Sequence, residues 1–326
     1  MFSHAYARNR WSVLARGSAL AFVILAIFSA NSYAATDWSA IQSALQADGT
    51  QMPGNVLRFE LVRQELAITV NGVAVPSYQN AAIANGFIAF RPTWNGRFFV
   101  DGSLPAQETE LAALLAALGT DSRIQMTAVA GRSVLETPKL IWVHFEANGD
   151  GTSLAGSLAT ALATIGNPQL NVTVIPGTDT VFNPASILPP KVLKLFDEGF
   201  VERLTDMFAF YLPRPDEHRI MLGDQPAEAG LGVCQSFYIQ VPFSGGSNVT
   251  LNIDFALRSE DIQPVEAALE AGGFAISSQT SNFVEDHPHL YFVHASASGD
   301  GFTLGDALFN AIQIIQADSR RRDGHF

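Results

Sequence analysis

Residues 140–145 read Leu140-Ile141-Trp142-Val143-His144-Phe145, and residues 290–295 read Leu290-Tyr291-Phe292-Val293-His294-Ala295. Both runs lead into Gly-Asp-Gly, at 149–151 and 299–301. A helical pattern then follows each, with Leu154, Leu158, Leu162 and Ile165 matching Leu304, Leu308, Ile312 and Ile315. Every pair is offset by 150 residues. Upstream the register continues with small slips: Pro92 answers Pro242, Arg63 answers Arg214 and Gly72 answers Gly223. Solenoid units run about 20–50 residues, so a period this long marks a duplicated domain rather than a stack.

Working outward from those strands gives the elements of one repeat. Residues 38–45 read as a helix, and 56–61 and 66–71 as strands, with Asn71-Gly72 as a turn. Residues 87–90 and 97–101 form a second strand pair around Asn95-Gly96. A helix is predicted over 107–118, with Leu111, Leu114, Leu115 and Leu118 on one face, Glu108 and Glu110 near its positive end and Gly119 as its stop. Strands at 124–129 and 139–145, a helix at 152–165 and a strand at 170–175 complete the unit. From Arg97 the order is β-α-β-β-α-β, the ferredoxin-like split βαβ order. The second copy repeats β-α-β-β-α from Val249 to Ala317 and lacks the last strand, so the tail or the other domain is expected to cover that edge. Pro264 is expected in the first turn of its helix, behind an Asp261 cap. The fold class is therefore α+β, a tandem duplication of a ferredoxin-like core with an N-terminal helix and β-hairpins. Domain one spans 35–176, a Pro-rich linker 177–190 and domain two 191–317, with 318–326 as a solvated tail.

The first 34 residues read differently. Arg8, Arg10 and Arg16 precede an apolar run at 18–28, and Ser32-Tyr33-Ala34 offers a small-x-small cleavage site. This is the order of a secretory signal peptide, and the run falls well short of the roughly 20 residues a spanning helix needs. Cleavage after Ala34 removes three basic residues and no acidic ones, moving the net charge from −12 to −15. An acidic chain of this kind is not a nucleic-acid binder. The single cysteine, Cys234, excludes an intrachain disulfide and is far from the cleavage site, which excludes a lipoprotein. Its apolar context reads as a buried, inert thiol. The expected product is soluble and either periplasmic or secreted, with no membrane insertion.

Chemistry-bearing residues are few. His144 and His294 end the most apolar strand of each repeat, so they either share a site between the copies or each satisfy a strand-end carbonyl. Glu136 and Asp286 stand two residues before Pro138 and Pro288, in the loops leading to the histidine strands, where acid and imidazole could meet. The Gly-Asp-Gly segments read as strand-to-helix turns in which glycine supplies a positive φ and Asp150 or Asp300 caps the helix. An anion or metal at that helix start is the alternative. No HExxH, GxSxG, Walker loop or paired CxxC is present.

Residues 57–63, 68–73, 102–104 and above all Glu136-Thr137-Pro138-Lys139-Leu140-Ile141-Trp142-Val143-His144-Phe145 resemble the LppY/LpqO family of exported bacterial proteins. The resemblance covers nearly the whole chain after the signal. It implies a His-Asn-His triplet before the proline, which with the strand histidine would suit zinc or copper. Here the triplet's place holds Ala130-Gly131-Arg132 in repeat one and Thr280-Ser281-Asn282 in repeat two. Loss of the paired imidazoles at 130, 132, 280 and 282 removes the best ligands, so no cofactor is predicted. A divalent metal held by His144 or His294 is the one alternative. The expected role is a non-enzymatic binding or interaction module for a small ligand or an envelope protein. The competing reading is a metal-assisted hydrolase using His144 or His294 with Glu136 or Asp286.

Overall fold

In the computed structural model, repeat one runs through α1 (Ser39–Leu45), β1 (Thr50–Met52), β2 (Val56–Val62), β3 (Thr69–Val70), β4 (Val73–Ala74), β5 (Asn85–Pro92), β6 (Phe98–Gln107), α2 (Glu108–Leu118), β7 (Ile124–Ala130), β8 (Glu136–Thr137), β9 (Leu140–Gly149), α3 (Gly151–Leu162) and β10 (Gln169–Leu170). Repeat two runs through α4 (Pro190–Phe196), β11 (Phe200–Leu204), β12 (Met207–Pro213), β13 (Met221–Leu222), β14 (Gln225–Pro226), β15 (Cys234–Gln240), β16 (Asn248–Leu257), α5 (Ser259–Ala271), β17 (Ala275–Thr280), β18 (Asp286–His287), β19 (Tyr291–Asp300) and α6 (Gly301–Arg322). The structure describes residues 36–70, 73–74, 83–93, 95–132, 136–166, 168–170, 184–196, 200–204, 207–240 and 247–322. The signal-peptide reading of 1–34 lies outside the described residues, as do Gly72, Pro242 and the predicted strand beyond Leu170.

The chain is α+β, and the β-α-β-β-α order occurs twice, as β6-α2-β7-β9-α3 and β16-α5-β17-β19-α6. One antiparallel sheet has the order β1-β2-β5-β6-β9-β7 and the other β11-β12-β15-β16-β19-β17. The edge of repeat two expected to be covered by the tail or by the other domain is instead paired within the repeat, β15 with β16. The extra strand of repeat one, β10, adds to β2 instead.

Alternation along the strands sets the layers. In β9, Val143, Phe145 and Ala147 join Leu154, Leu158 and Ile165 in a core under α1–α3. In β19, Val293, Ala295 and Ala297 join Leu304, Leu308, Ile312 and Ile315 in the equivalent core. The opposite faces of the two sheets meet. Met52, Val56, Ala89 and Phe99 from repeat one pack with Leu222, Val233, Phe283 and Phe292 from repeat two. Residues 36–326 accordingly form one compact unit.

Twin ties fix each sheet to the helix that follows β6 or β16. Arg63 donates to the Pro105 carbonyl at 2.9 Å and grips Glu110 at 2.8 and 2.9 Å. Glu110 also completes a capping box with Gln107 at the start of α2. Arg214 likewise donates to the Ala256 carbonyl and lies 3.6 Å from Asp261 in α5. The histidine strands are followed by the expected caps, Asp150 accepting from the Ser153 amide at 2.8 Å and Asp300 from the Thr303 amide at 3.0 Å.

Several details differ from the sequence reading. His144 and His294 lie mid-strand, because β9 and β19 continue to Gly149 and Asp300. The glycines after the caps are required by close approach rather than by a positive φ: a Cβ at Gly301 would lie 2.2 Å from the Ile187 carbonyl oxygen. Helix α5 starts at Ser259, so Pro264 sits beyond the first turn. The linker's Ile187 and Leu188 are buried in the second core. The segment read as a tail is helical as far as Arg322, with Ser319 buried. The predicted strand 66–71 is confined to Thr69–Val70, in a small sheet ordered β4-β3-β8.

Two glycine replacements should shift stability in opposite directions in urea denaturation. Gly156→Ala, in α3 with open space around it, should gain about 0.5–1 kcal/mol through the ordinary helix preference for alanine. Gly301→Ala should lose about 1–3 kcal/mol through overpacking against backbone that cannot retreat.

Candidate functional site

The layer between the sheets is mostly apolar, and polar side chains are gathered at its centre. Inward positions of β6, β9, β16 and β19 supply Ser103, His144, Asp254 and His294, and Arg132 reaches in from the loop after β7. His144 and His294 line one cavity, one from each sheet. The volume open to the centres of water molecules is about 30 Å³, room for two or three waters.

Strand register makes the partners of the two histidines equivalent positions. Asp254 lies opposite His294, and Ser103 lies opposite His144. Asp254 accepts a short hydrogen bond from His294 Nδ1 and holds Arg132 at 3.3 Å. The Arg132 guanidinium lies 4.9 Å from the Trp142 ring centre and donates to Ser103 Oγ at 3.1 Å. His294 Nε2 is 3.4 Å from Thr280 Oγ1, whose hydroxyl donates to Asn282 Oδ1 at 2.8 Å. His144 Nε2 is buried and has no hydrogen-bond partner among the described residues. A buried polar atom left unpaired costs about 1–3 kcal/mol.

The charges are set by these contacts. Burial alone would raise the Asp254 carboxyl, but His294 and Arg132 outweigh it and hold its pKa at about 2. Burial, reinforced by the Arg132 and His294 charges, pushes His144 well below the ordinary imidazole value, so it is neutral. Burial and then Glu146 push Asp101 well above the carboxylate range. Burial also lifts Glu146 to about 7, with Asp286 and Glu285 adding to it. Cys234 borders the cavity, and burial raises its thiol to about 11, which leaves it unreactive.

Glu136 and Asp286 serve elsewhere. Glu136 accepts from the Leu140 amide at 3.4 Å, and Asp286 from the Leu290 amide at 2.6 Å and from His289 Nδ1 at 2.7 Å. They close the turns around Pro138 and Pro288, both preceded by cis peptide bonds. The triplet positions divide similarly. Arg132 and Asn282 line the cavity and Thr280 touches His294, whereas Ala130 lies opposite Trp142 in the sheet. Asp254 and Ser103 escaped the sequence reading. The available signal was an aspartate at a polar position of the alternating stretch Leu251-Asn252-Ile253-Asp254-Phe255.

The metal implied by the resemblance can be tested against these residues. Among the described residues, no group of three or more His, Cys, Asp or Glu is placed to hold a metal ion. The available carboxylate, Asp254, is already shared by a guanidinium and an imidazole. Arg132 puts a fixed positive charge where a second cation would have to sit. The donor set does not fit a divalent metal.

Removing the shared carboxylate should be costly. Asp254→Asn leaves Arg132 and His294 without their counter-charge and should lose about 3 kcal/mol or more in chemical denaturation. Two pH slopes should also appear. The folded His144 pKa lies below the unfolded value of 6.5, so the unfolded chain gains protons first and stability falls as pH drops below 6.5. His144→Gln should flatten that slope. Glu146 has the opposite sign: its folded pKa of about 7 exceeds the unfolded 4.5, so its contribution is complete below 4.5 and lost as pH rises through 7. Glu146→Gln should therefore stabilise the protein in alkaline buffer and have little effect in acid.

Among solved structures, the crystal structure of EtuB from Clostridium kluyveri matches 84% of this chain and 92% of its own, at 10% identity and a TM-score of 0.20. No curated protein matches the chain. The sequence model of a family described as Domain of Unknown Function (DUF1259) matches twice, over residues 39–164 and 197–314. Those two matches fall on the two repeats that meet around His144 and His294, and the chain belongs to the DUF1259 family.

Proposed function

We propose that the chain is an exported, LppY/LpqO-like binding module that holds a small ligand in the polar cavity between its two sheets. The observation that carries this reading is His144 Nε2, buried, unpaired and on the wall of a cavity that the other repeat completes. Native interiors pair nearly all their polar atoms, so an unpaired one facing a cavity is a place for a ligand or water. The order of basic, apolar and small residues at the N-terminus supports export with cleavage after Ala34. Among the described residues, no helix is long and apolar enough to cross a membrane. The charge balance gives nucleic acid no purchase on the exported protein.

One observation favours a second reading, hydrolysis without a metal. Asp254 and His294 pair a carboxylate with an imidazole on the cavity wall, an arrangement that can serve as a general base toward water. Screening the purified protein against a fragment library that includes esters and amides, by ligand-detected NMR, separates the two. The expected result is bound fragments that lose their signal in His144→Gln and are recovered unchanged. Turnover of an ester or amide that His294→Gln abolishes would move the function to the second reading. A library without any cavity-dependent binder or product would reject both. Export is checked by the N-terminus of the secreted protein, expected at Ala35; an N-terminus at Met1 would overturn it.

A further inference from the structure

We infer that the cavity recognises a small carboxylate through the Arg132 guanidinium and the His144 imidazole. This rests on the cavity being a ligand site, and it deepens that reading by naming the ligand's chemistry. A guanidinium carries five N–H donors. Arg132 directs one nitrogen at Asp254 and another at Ser103, and its Nε–H is buried with no partner among the described residues. His144 Nε2 is likewise unpaired, and it donates in the neutral tautomer that carries the proton there. Tyr238 adds a phenol whose pKa burial raises first, so it too remains a donor.

The carboxyls in the lining are Asp101 and Asp254. Burial and then Glu146 raise the Asp101 pKa well above the ordinary carboxylate value, which weakens it as a charged acceptor. Asp254 is ionised, but its oxygens are engaged by His294 and Arg132. Two unpaired buried nitrogens beside an engaged carboxylate favour a ligand made of acceptors. A carboxylate is the smallest planar group of that kind, and guanidinium–carboxylate bonds are among the stronger ones available. Trp142 backs the guanidinium and fixes its plane. The size agrees: about 30 Å³ for water centres accommodates a group of roughly three heavy atoms. Arg132 and Asp254 are also the more accessible members, with side chains 15% and 18% exposed against 3% for His294, so the ligand enters at the Arg132 end. Arg132 thus biases the cavity toward an anion over a cation.

The test titrates the full-length protein with sodium acetate, acetamide, inorganic phosphate and zinc chloride, followed by Trp142 fluorescence and ligand-detected NMR. Acetate and acetamide have nearly the same shape and differ in charge, so the comparison needs no variant. Acetate is expected to bind at least tenfold tighter than acetamide, and Arg132→Gln to weaken acetate at least tenfold while Arg132→Lys weakens it less. Equal binding of acetamide would overturn the carboxylate assignment and leave the binding reading standing. Tighter binding of phosphate in competition with acetate would replace a planar anion with a tetrahedral one. Stoichiometric zinc lost in His144→Gln would overturn the assignment to an anion. If none of the four probes perturbs the cavity, the carboxylate assignment falls. The fragment screen above then decides separately whether the cavity binds any ligand.

Discussion

A sheet clad with helices on one face leaves its other face bare, and that constraint organises this molecule. In each repeat the strands send alternate residues toward the helices, and those positions are almost wholly apolar. The remaining positions cannot stay in water, because Val56, Ala89, Phe99, Val233 and Phe292 lie among them. Each repeat is the cover for the other. Pairing of the bare faces builds a second kind of interior, thinner in hydrocarbon and more tolerant of polar groups. Arg58 illustrates the rule there: it is fully inside, bonded to Glu60 and to the Gly230 carbonyl, and stacked 3.8 Å from the Phe87 ring centre. Buried charges survive only with such company.

Scaffold and centre have diverged at different rates. The outer ties are nearly the same in both copies: Arg63 with Glu110 corresponds to Arg214 with Asp261, and Asp150 as a cap corresponds to Asp300. The centre is not duplicated. Ser103 faces His144 where Asp254 faces His294, and Arg132 stands where repeat two has Asn282. The chemistry of the cavity comes from these differences, and its shape comes from what the copies kept.

The repeat, the order of its elements and the buried faces of its helices were legible in the sequence, because each depends on spacing along the chain. Leu154 to Ile165 and Leu304 to Ile315 lie where their periodicity predicts. The pairing of the histidines with an acid was not legible, because it depends on spacing across a sheet. Glu136 and Asp286 are near the histidines in sequence, but a carboxylate four residues before a free amide satisfies that amide first. Asp254 is 40 residues from His294 and reaches it through strand pairing alone. Arg132 was readable only as a missing ligand. Its role emerged once the fold put Asp254, Ser103 and Trp142 around it.

The Ser103–Asp254 difference has an evolutionary corollary. If the two halves were separate, identical subunits of a homodimer, any carboxylate introduced at this position would appear on both sides of the axis at once. Two such groups facing each other across one small cavity would each disfavour the other's ionisation. Joining the halves in one polypeptide lifts that restriction, because each copy can change without its twin. A single ionised carboxylate facing a hydroxyl is therefore a composition that covalent fusion permits and dimeric symmetry forbids.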